Sequence, residues 1–141
     1  MKISTRGRYA LEAVLDLAYY APSGHESLKN ISERSGISAN YLEQIFMKLK
    51  KKGIIESVRG AQGGYRLARD AKEITAGEVI RAAEGQFAPT ACVAEGSERR
   101  QCHRYDICVT RMLWARIMDA MNEISDSLSI GDLVEICKKN Y

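Results

Sequence analysis

Apolar residues recur through the first fifty positions at the spacing of one helical face, and the pattern then changes to alternation. Between Thr5 and Tyr20, Leu11, Val14, Leu15 and Ala18 fall at i, i+3, i+4 and i+7, predicting a helix that Pro22, Ser23 and Gly24 close. The segment ESLKNISERSGIS predicts a short helix with Leu28 and Ile31 inward, ended by a turn at Ser35 and Gly36. Ser38 suits the N-cap of ANYLEQIFMKLKKK, where Leu42, Ile45, Phe46 and Leu49 form a second apolar stripe. Two helices joined by a tight glycine-containing turn form a helix-turn-helix.

Beyond Gly53, the β-branched run IIESV, the turn RGAQGG and the alternating YRLAR predict a β-hairpin over 54–69. A hairpin placed directly after a helix-turn-helix makes a winged helix. Thr75 and Glu78 have capping-box spacing for a helix reaching about Glu84, which Gly85 ends. A long helix is expected from Val109 to Leu128, with Leu113, Ile117, Ala120, Met121 and Ile124 on one side. That is more apolar surface than so small a domain needs, so the helix is expected to form a homodimer seam. Ser129 and Asp132 can cap a last helix bearing Leu133, Ile136 and Cys137 inward. The expected fold is mainly α: a winged helix-turn-helix with a small β-hairpin wing plus a long C-terminal dimerisation helix. Its parts are a DNA-binding domain over 1–84, a cysteine-bearing loop over 85–108, and the dimerisation and C-terminal helices over 109–141.

Composition narrows the function. The 141 residues are 45% hydrophobic and 28% charged, as in a globular domain. Glu12 and Asp16 interrupt the N-terminal apolar stretch, so neither a signal peptide nor a membrane helix is expected, and the expected location is the cytoplasm. The net charge of +3 is unevenly spread, with 12 lysines and arginines against 7 acids in residues 1–70 and 9 against 11 in the remainder. The basic half is the face for a polyanion. Enzymatic chemistry finds no support: there is no Ser/His/Asp set and no phosphate-binding loop, and the two histidines, His25 and His103, lie in unrelated segments.

In a helix-turn-helix the second helix enters the major groove with its N-terminal residues facing base edges. Here these are Ser38, Ala39, Asn40, Tyr41, Glu43 and Gln44, and Glu43 can accept from a cytosine amine. Lys48, Lys50, Lys51 and Lys52 suit phosphates, as do Lys2, Arg6 and Arg8. Arg59 projects from a narrow glycine-rich wing able to reach a minor groove. Thr5, Ser57 and Gly60 complete the expected DNA face.

Three of the four cysteines, Cys92, Cys102 and Cys108, stand nine and five residues apart in a segment with no predicted regular structure. Thiolates suit iron-sulfur clusters, while structural zinc usually shows closer pairs. Spacing alone leaves a cluster, zinc and no metal all open. Arg99, Arg100, Arg104 and Arg111 would lower thiol pKa values nearby.

The segments KISTRGRYALEAVLDLA, ISERSGISANYLEQIFMKLKKKGIIESVRGAQGGY and ITAGEVIRAAEG resemble, in order and spacing, the winged-helix regulators that include IscR-like, NsrR-like and CymR-like proteins. The resemblance runs from residue 2 to about 137. It implies a homodimeric repressor of partly palindromic double-stranded DNA, in which Tyr41, Glu43 and Gln44 read bases and Arg59 enters the minor groove. IscR-like and NsrR-like members carry three cysteines before the long helix, and CymR-like members lack them. By that resemblance Cys92, Cys102 and Cys108 hold an iron-sulfur cluster, 2Fe-2S ahead of 4Fe-4S, and the regulated genes are those of cluster assembly. Alternatives are a nitric oxide or redox sensor with a 4Fe-4S cluster, and a cofactor-free regulator acting through a protein partner. IscR-like proteins place a histidine in C-x-x-H-x-L-W, where this chain has CVTRMLW, so Arg111 stands in its place. Arginine stays protonated and is no ligand. The fourth position is left to His103, to Cys137, to a carboxylate or water, or to the partner chain.

Overall fold

A computed structural model describes residues 3–97 and 102–140. Ser4 opens the first helix, α1 (Thr5–Tyr20), accepting from the Gly7 N–H. Then follow α2 (Leu28–Ser35), α3 (Ala39–Lys51), the strands β1 (Ile55–Val58) and β2 (Gly64–Leu67), α4 (Ala76–Glu84), α5 (Val109–Asp126) and α6 (Ile130–Asn140). Short 3-10 turns occupy Ala71–Glu73 and Ala91–Val93, the second inside the loop expected to be irregular. The expected winged helix-turn-helix is present.

Local chemistry explains the boundaries. Ser27 and Ser38 accept from the N–H groups of Asn30 and Tyr41, the N-cap interaction that starts α2 and α3. Gly36 ends α2 at φ 74°, a left-handed conformation that suits glycine, while Ser32 donates to the Ile37 carbonyl across the turn at 2.6 Å. Thr75 and Glu78 form a complete capping box on α4. Ser129 and Asp132 do the same for α6, with bonds of 2.9 and 3.0 Å. The starts of these two helices lie side by side, because Ala76 N–H donates to the Leu128 carbonyl and Ile130 N–H to that of Ile74.

One core joins α1, the helix-turn-helix, the base of the wing, α4 and α6. Leu42, Ile45, Phe46 and Leu49 are all buried, as their spacing predicts. In α1 the phase differs from expectation. Ala10, Ala13, Val14, Leu17 and Ala18 are buried, and Leu11 and Leu15 sit half-buried at the margin. Val14 and Ala18 are inside as expected, while Leu17 and the alanines at 10 and 13, which admit close approach of neighbouring helices, take the fully buried places expected for Leu11 and Leu15. In α6, Ile130, Gly131 and Val134 turn inward, whereas Ile136, expected inside, is 47% exposed and Cys137 is half-buried. The first turn of α6 is held by its bridge to Thr75, and that sets which face meets the core.

The hairpin pairs Ile55 with Leu67 through Val58 with Gly64. Its far edge is not free. Glu26, just before α2, exchanges backbone hydrogen bonds with Tyr65 at 2.9 and 2.8 Å, adding a one-residue third strand. A Cβ on Gly64 would lie 2.2 Å from the Glu26 carbonyl oxygen, so only glycine permits this approach. Gly64→Ala is therefore expected to destabilise the protein by about 1–3 kcal/mol. Urea unfolding tests this, and an unchanged midpoint would show that the bridge yields without cost.

Among the described residues, α5 has no buried position. Arg81 ties it to α4, donating to Asn122 Oδ1 at 2.9 Å and Asp126 Oδ1 at 2.7 Å. Its outer face leaves Val109, Met112, Leu113 and Ile124 exposed, the last two at 52% and 68%. Ile107 and Leu128 extend the same apolar exposure at either end.

Candidate nucleic-acid interface and cysteine loop

With its buried stripe turned into the core, α3 presents Asn40, Glu43 and Gln44 outward, and Ser38 and Ala39 at its exposed start. Tyr41 behaves differently. It is half-buried, and its ring meets that of Tyr9 edge-on at 5.8 Å and 83°. The tyrosine therefore also braces α3 against α1. Met47, not anticipated, lies on the same outward stripe and is 66% exposed. Its position three beyond Gln44 and four beyond Glu43 was the available signal, obscured by its apolar character.

The flanking cations divide into two groups. Lys50 Nζ donates to Ser57 Oγ at 2.8 Å, fixing the end of α3 to β1, and Lys48 reaches the Ala83 carbonyl at 3.4 Å. Lys51 and Lys52 are exposed, as are Thr5, Arg6 and Arg8 at the start of α1. Lys2 lies outside the described residues. Arg59 and Gly60 are exposed at the wing tip, and among the described residues no hydrogen bond or ion pair engages Arg59. Helix start, wing tip and α1 start thus offer cations and polar groups around a rigid core, the element set a duplex requires.

The carboxylates nearby serve structure. Arg34 donates to Asp16 at 2.6 and 2.9 Å and to Glu26 at 3.0 Å, with its guanidinium 4.0 Å from the Tyr20 ring centre. Burial pushes the Glu26 carboxyl up, but hydrogen bonds from Asn30, Ser27 and Arg34 outweigh it and hold the group below its usual range. Glu78 is depressed in the same way, burial being outweighed by the Thr75 N–H and Arg69.

In the cysteine loop, Gln86 clamps the backbone of Glu95, its Oε1 accepting from the N–H at 2.6 Å and its Nε2 donating to the carbonyl at 3.4 Å. Val93 and Phe87 are buried beneath. Cys92 is half-buried in the 3-10 turn, its sulfur 3.2 Å from Thr90 Oγ1. Cys102 is half-buried at the turn that leads to α5, and its carbonyl accepts from the Tyr105 N–H. Cys108 sits at the N-cap of α5, 3.2 Å from Thr110 Oγ1. The Thr110 hydroxyl, the N–H groups of Arg111 and Thr110, and the charge of Arg104 together hold its thiol below the ordinary thiol range.

All four cysteines are free thiols. Among the described residues, no three His, Cys, Asp or Glu side chains converge into a metal-holding group. Arg111 folds back onto the loop, with its guanidinium 4.2 Å from the Tyr105 ring centre and Nη1 3.4 Å from the Tyr105 hydroxyl. His103 and Arg104 are exposed, and Arg99 and Arg100 lie outside the described residues. Cys137 lines a hollow with Glu12, Leu15, Asp16, Tyr19 and Tyr20, none of them from the cysteine loop. Within one chain, Cys137 is therefore not brought to the other three.

No helix among the described residues is long and apolar enough to cross a membrane. Residues 3–136 match the Rrf2 family, described as iron-dependent transcriptional regulator. The HTH-type transcriptional regulator IscR of Cronobacter sakazakii is 42% identical over 134 residues, covering 95% of this chain and 80% of that protein. Among solved structures, T. potens IscR superposes with a TM-score of 0.79 at 36% identity, covering all of this chain and 92% of the other. CymR of B. subtilis, described as the global cysteine regulator, superposes at 0.76 with 40% identity, covering 96% and 98%. These relatives are regulators rather than enzymes, and with its winged helix and this extent of similarity the chain belongs to the Rrf2 family of DNA-binding transcriptional regulators, of the IscR type.

Proposed function

We propose that this protein is a homodimeric repressor of iron-sulfur cluster assembly genes whose own iron-sulfur cluster, held by Cys92, Cys102 and Cys108, sets its DNA-binding state. The observation that carries the reading is the position of three free, half-buried thiols on one loop that ends at the first turn of α5. Their donor chemistry fits a thiolate-bound cluster, and the lowered Cys108 thiol is a prepared ligand. The described side chains are not gathered, so the loop has to close for all three to reach one centre. When bound, the cluster supplies a centre gained or lost with iron supply and oxidant.

The chain's own residues supply the rest. Cys108 stands at the N-cap position of the helix whose apolar face is expected to form the dimer seam, so closing the loop acts directly on the start of that seam. A ligand shifts the equilibrium only as far as it prefers one state. Closure that favours one α5 arrangement would set the separation of the two α3 helices, which must match half-sites about 34 Å apart or a multiple. In this arrangement Asn40, Tyr41, Glu43 and Gln44 read a major groove, Arg59 enters a minor groove, and Lys51, Lys52, Thr5 and Arg6 meet phosphates.

The similarity to CymR, with the unconverged thiols, favours a second reading as a cofactor-free regulator. Anaerobic isolation separates the two. The first reading expects stoichiometric iron and sulfide, a 2Fe-2S absorption spectrum, and loss of both on changing Cys92, Cys102 or Cys108 to alanine. Protein without iron would support the second reading, and a 4Fe-4S spectrum would move the signal toward nitric oxide or redox change. His103→Ala, in the same spectra, tests His103 as the fourth ligand.

A further inference from the structure

The wing tip spans the residues between β1 and β2, and Arg59 stands at its start. A hairpin of two four-residue strands is by itself marginal in water, so a wing that delivers an arginine to a groove needs support. Part of that support comes from the core, where the Tyr65 ring meets Phe46 edge-on at 5.0 Å. Part comes from the segment before α2. There the Glu26 backbone pairs with Tyr65, while its carboxylate accepts from Asn30, Ser27 and Arg34, tying the added strand into the helix-turn-helix. One residue earlier, His25 Nε2–H donates to the Gln62 carbonyl at 2.5 Å. Among the described residues this is the one side chain from outside the hairpin that hydrogen-bonds the wing-tip turn.

We propose that His25 is a positioning residue for DNA binding: it holds the wing tip in the conformation from which Arg59 enters the minor groove. The proposal rests on the reading of Arg59 as a groove contact. His25 is exposed, so removing its ring leaves the core intact. The tip would still close through the Gly63 N–H to the Gly60 carbonyl, but without an anchor to the helical body. Arg59 would then have to be ordered at the moment of binding, and the entropy of that ordering would fall on affinity.

The test is a cycle of full-length variants, His25→Ala and Arg59→Ala singly and together, titrated at fixed salt against an operator selected from random duplexes by the wild type. A net hydrogen bond predicts that His25→Ala weakens binding about five-fold. It also predicts that the loss vanishes in the Arg59→Ala background. His25→Gln, which keeps an N–H donor of similar reach, should recover most of the affinity. Amide exchange at residues 60–63 should accelerate in His25→Ala while the urea midpoint stays put. Additive losses, or wild-type affinity for His25→Ala beside a clear loss for Arg59→Ala, overturn the positioning role alone. An Arg59→Ala variant that binds like the wild type overturns the minor-groove reading and the positioning role with it.

Discussion

Replacing both Leu113 and Ile124 with aspartate should produce a folded monomer that binds a palindromic operator about 10²- to 10⁴-fold more weakly than the wild type. The magnitude follows from multivalency: a dimer delivers its second α3 to the second half-site at high effective concentration, and a monomer does not. Both side chains are more than half exposed, so the substitutions remove nothing from the protomer's own core. In a dimer seam they would bury two carboxylates from each protomer without partners, which is costly enough to prevent association. Light scattering reads the mass and a titration reads the affinity. A variant that stays dimeric would move the seam away from this face of α5.

Phe46→Ala is expected to cost about 3–5 kcal/mol, the range for truncating a fully buried aromatic side chain. Phe46 is fully buried and packs edge-on against Tyr65, so one ring joins α3, the helix proposed to face the bases, to the strand that carries the wing. Set against a typical total stability of about 5–15 kcal/mol, that loss leaves the domain marginal. Urea denaturation would show a lower midpoint, with DNA binding failing at temperatures the wild type tolerates. A loss below about 1 kcal/mol would mean that the core collapses around the gap and that the ring is not the link between helix and wing.

Much of this architecture was legible because local signals agreed. The α3 stripe, the Ser38 cap, the Thr75 and Ser129 boxes and the glycine-rich wing each describe a structure reached within a few residues. In α1 the spacing identifies Val14 and Ala18 correctly, but a stripe chosen by hydrophobicity passes over Ala10 and Ala13, which close helix packing favours. A stripe as short as that of α6 points Ile136 inward, whereas the bridge between Thr75 and Ser129 decides the orientation of the helix. The position of Tyr41 in α3 suggests base reading, but its packing on Tyr9 depends on how α1 crosses α3. Met47 gives no polar signal on its polar face, and His25 reads in sequence as an isolated imidazole because its partner is 37 residues away. At Arg111, the sequence shows that no imidazole is present. Only the structure shows the guanidinium stacked on Tyr105.

On the proposed function, a cluster on Cys92, Cys102 and Cys108 changes how the dimer binds DNA. The most direct measurement compares anaerobically isolated, cluster-loaded protein with the Cys92→Ala, Cys102→Ala, Cys108→Ala triple variant, titrating both against operators selected from random duplexes by each form. At least one operator class should differ in affinity by about 5- to 150-fold between the two, the usual span of an allosteric coupling. Equal affinities on every selected operator, with the loaded protein holding its full complement of iron and sulfide, would contradict it.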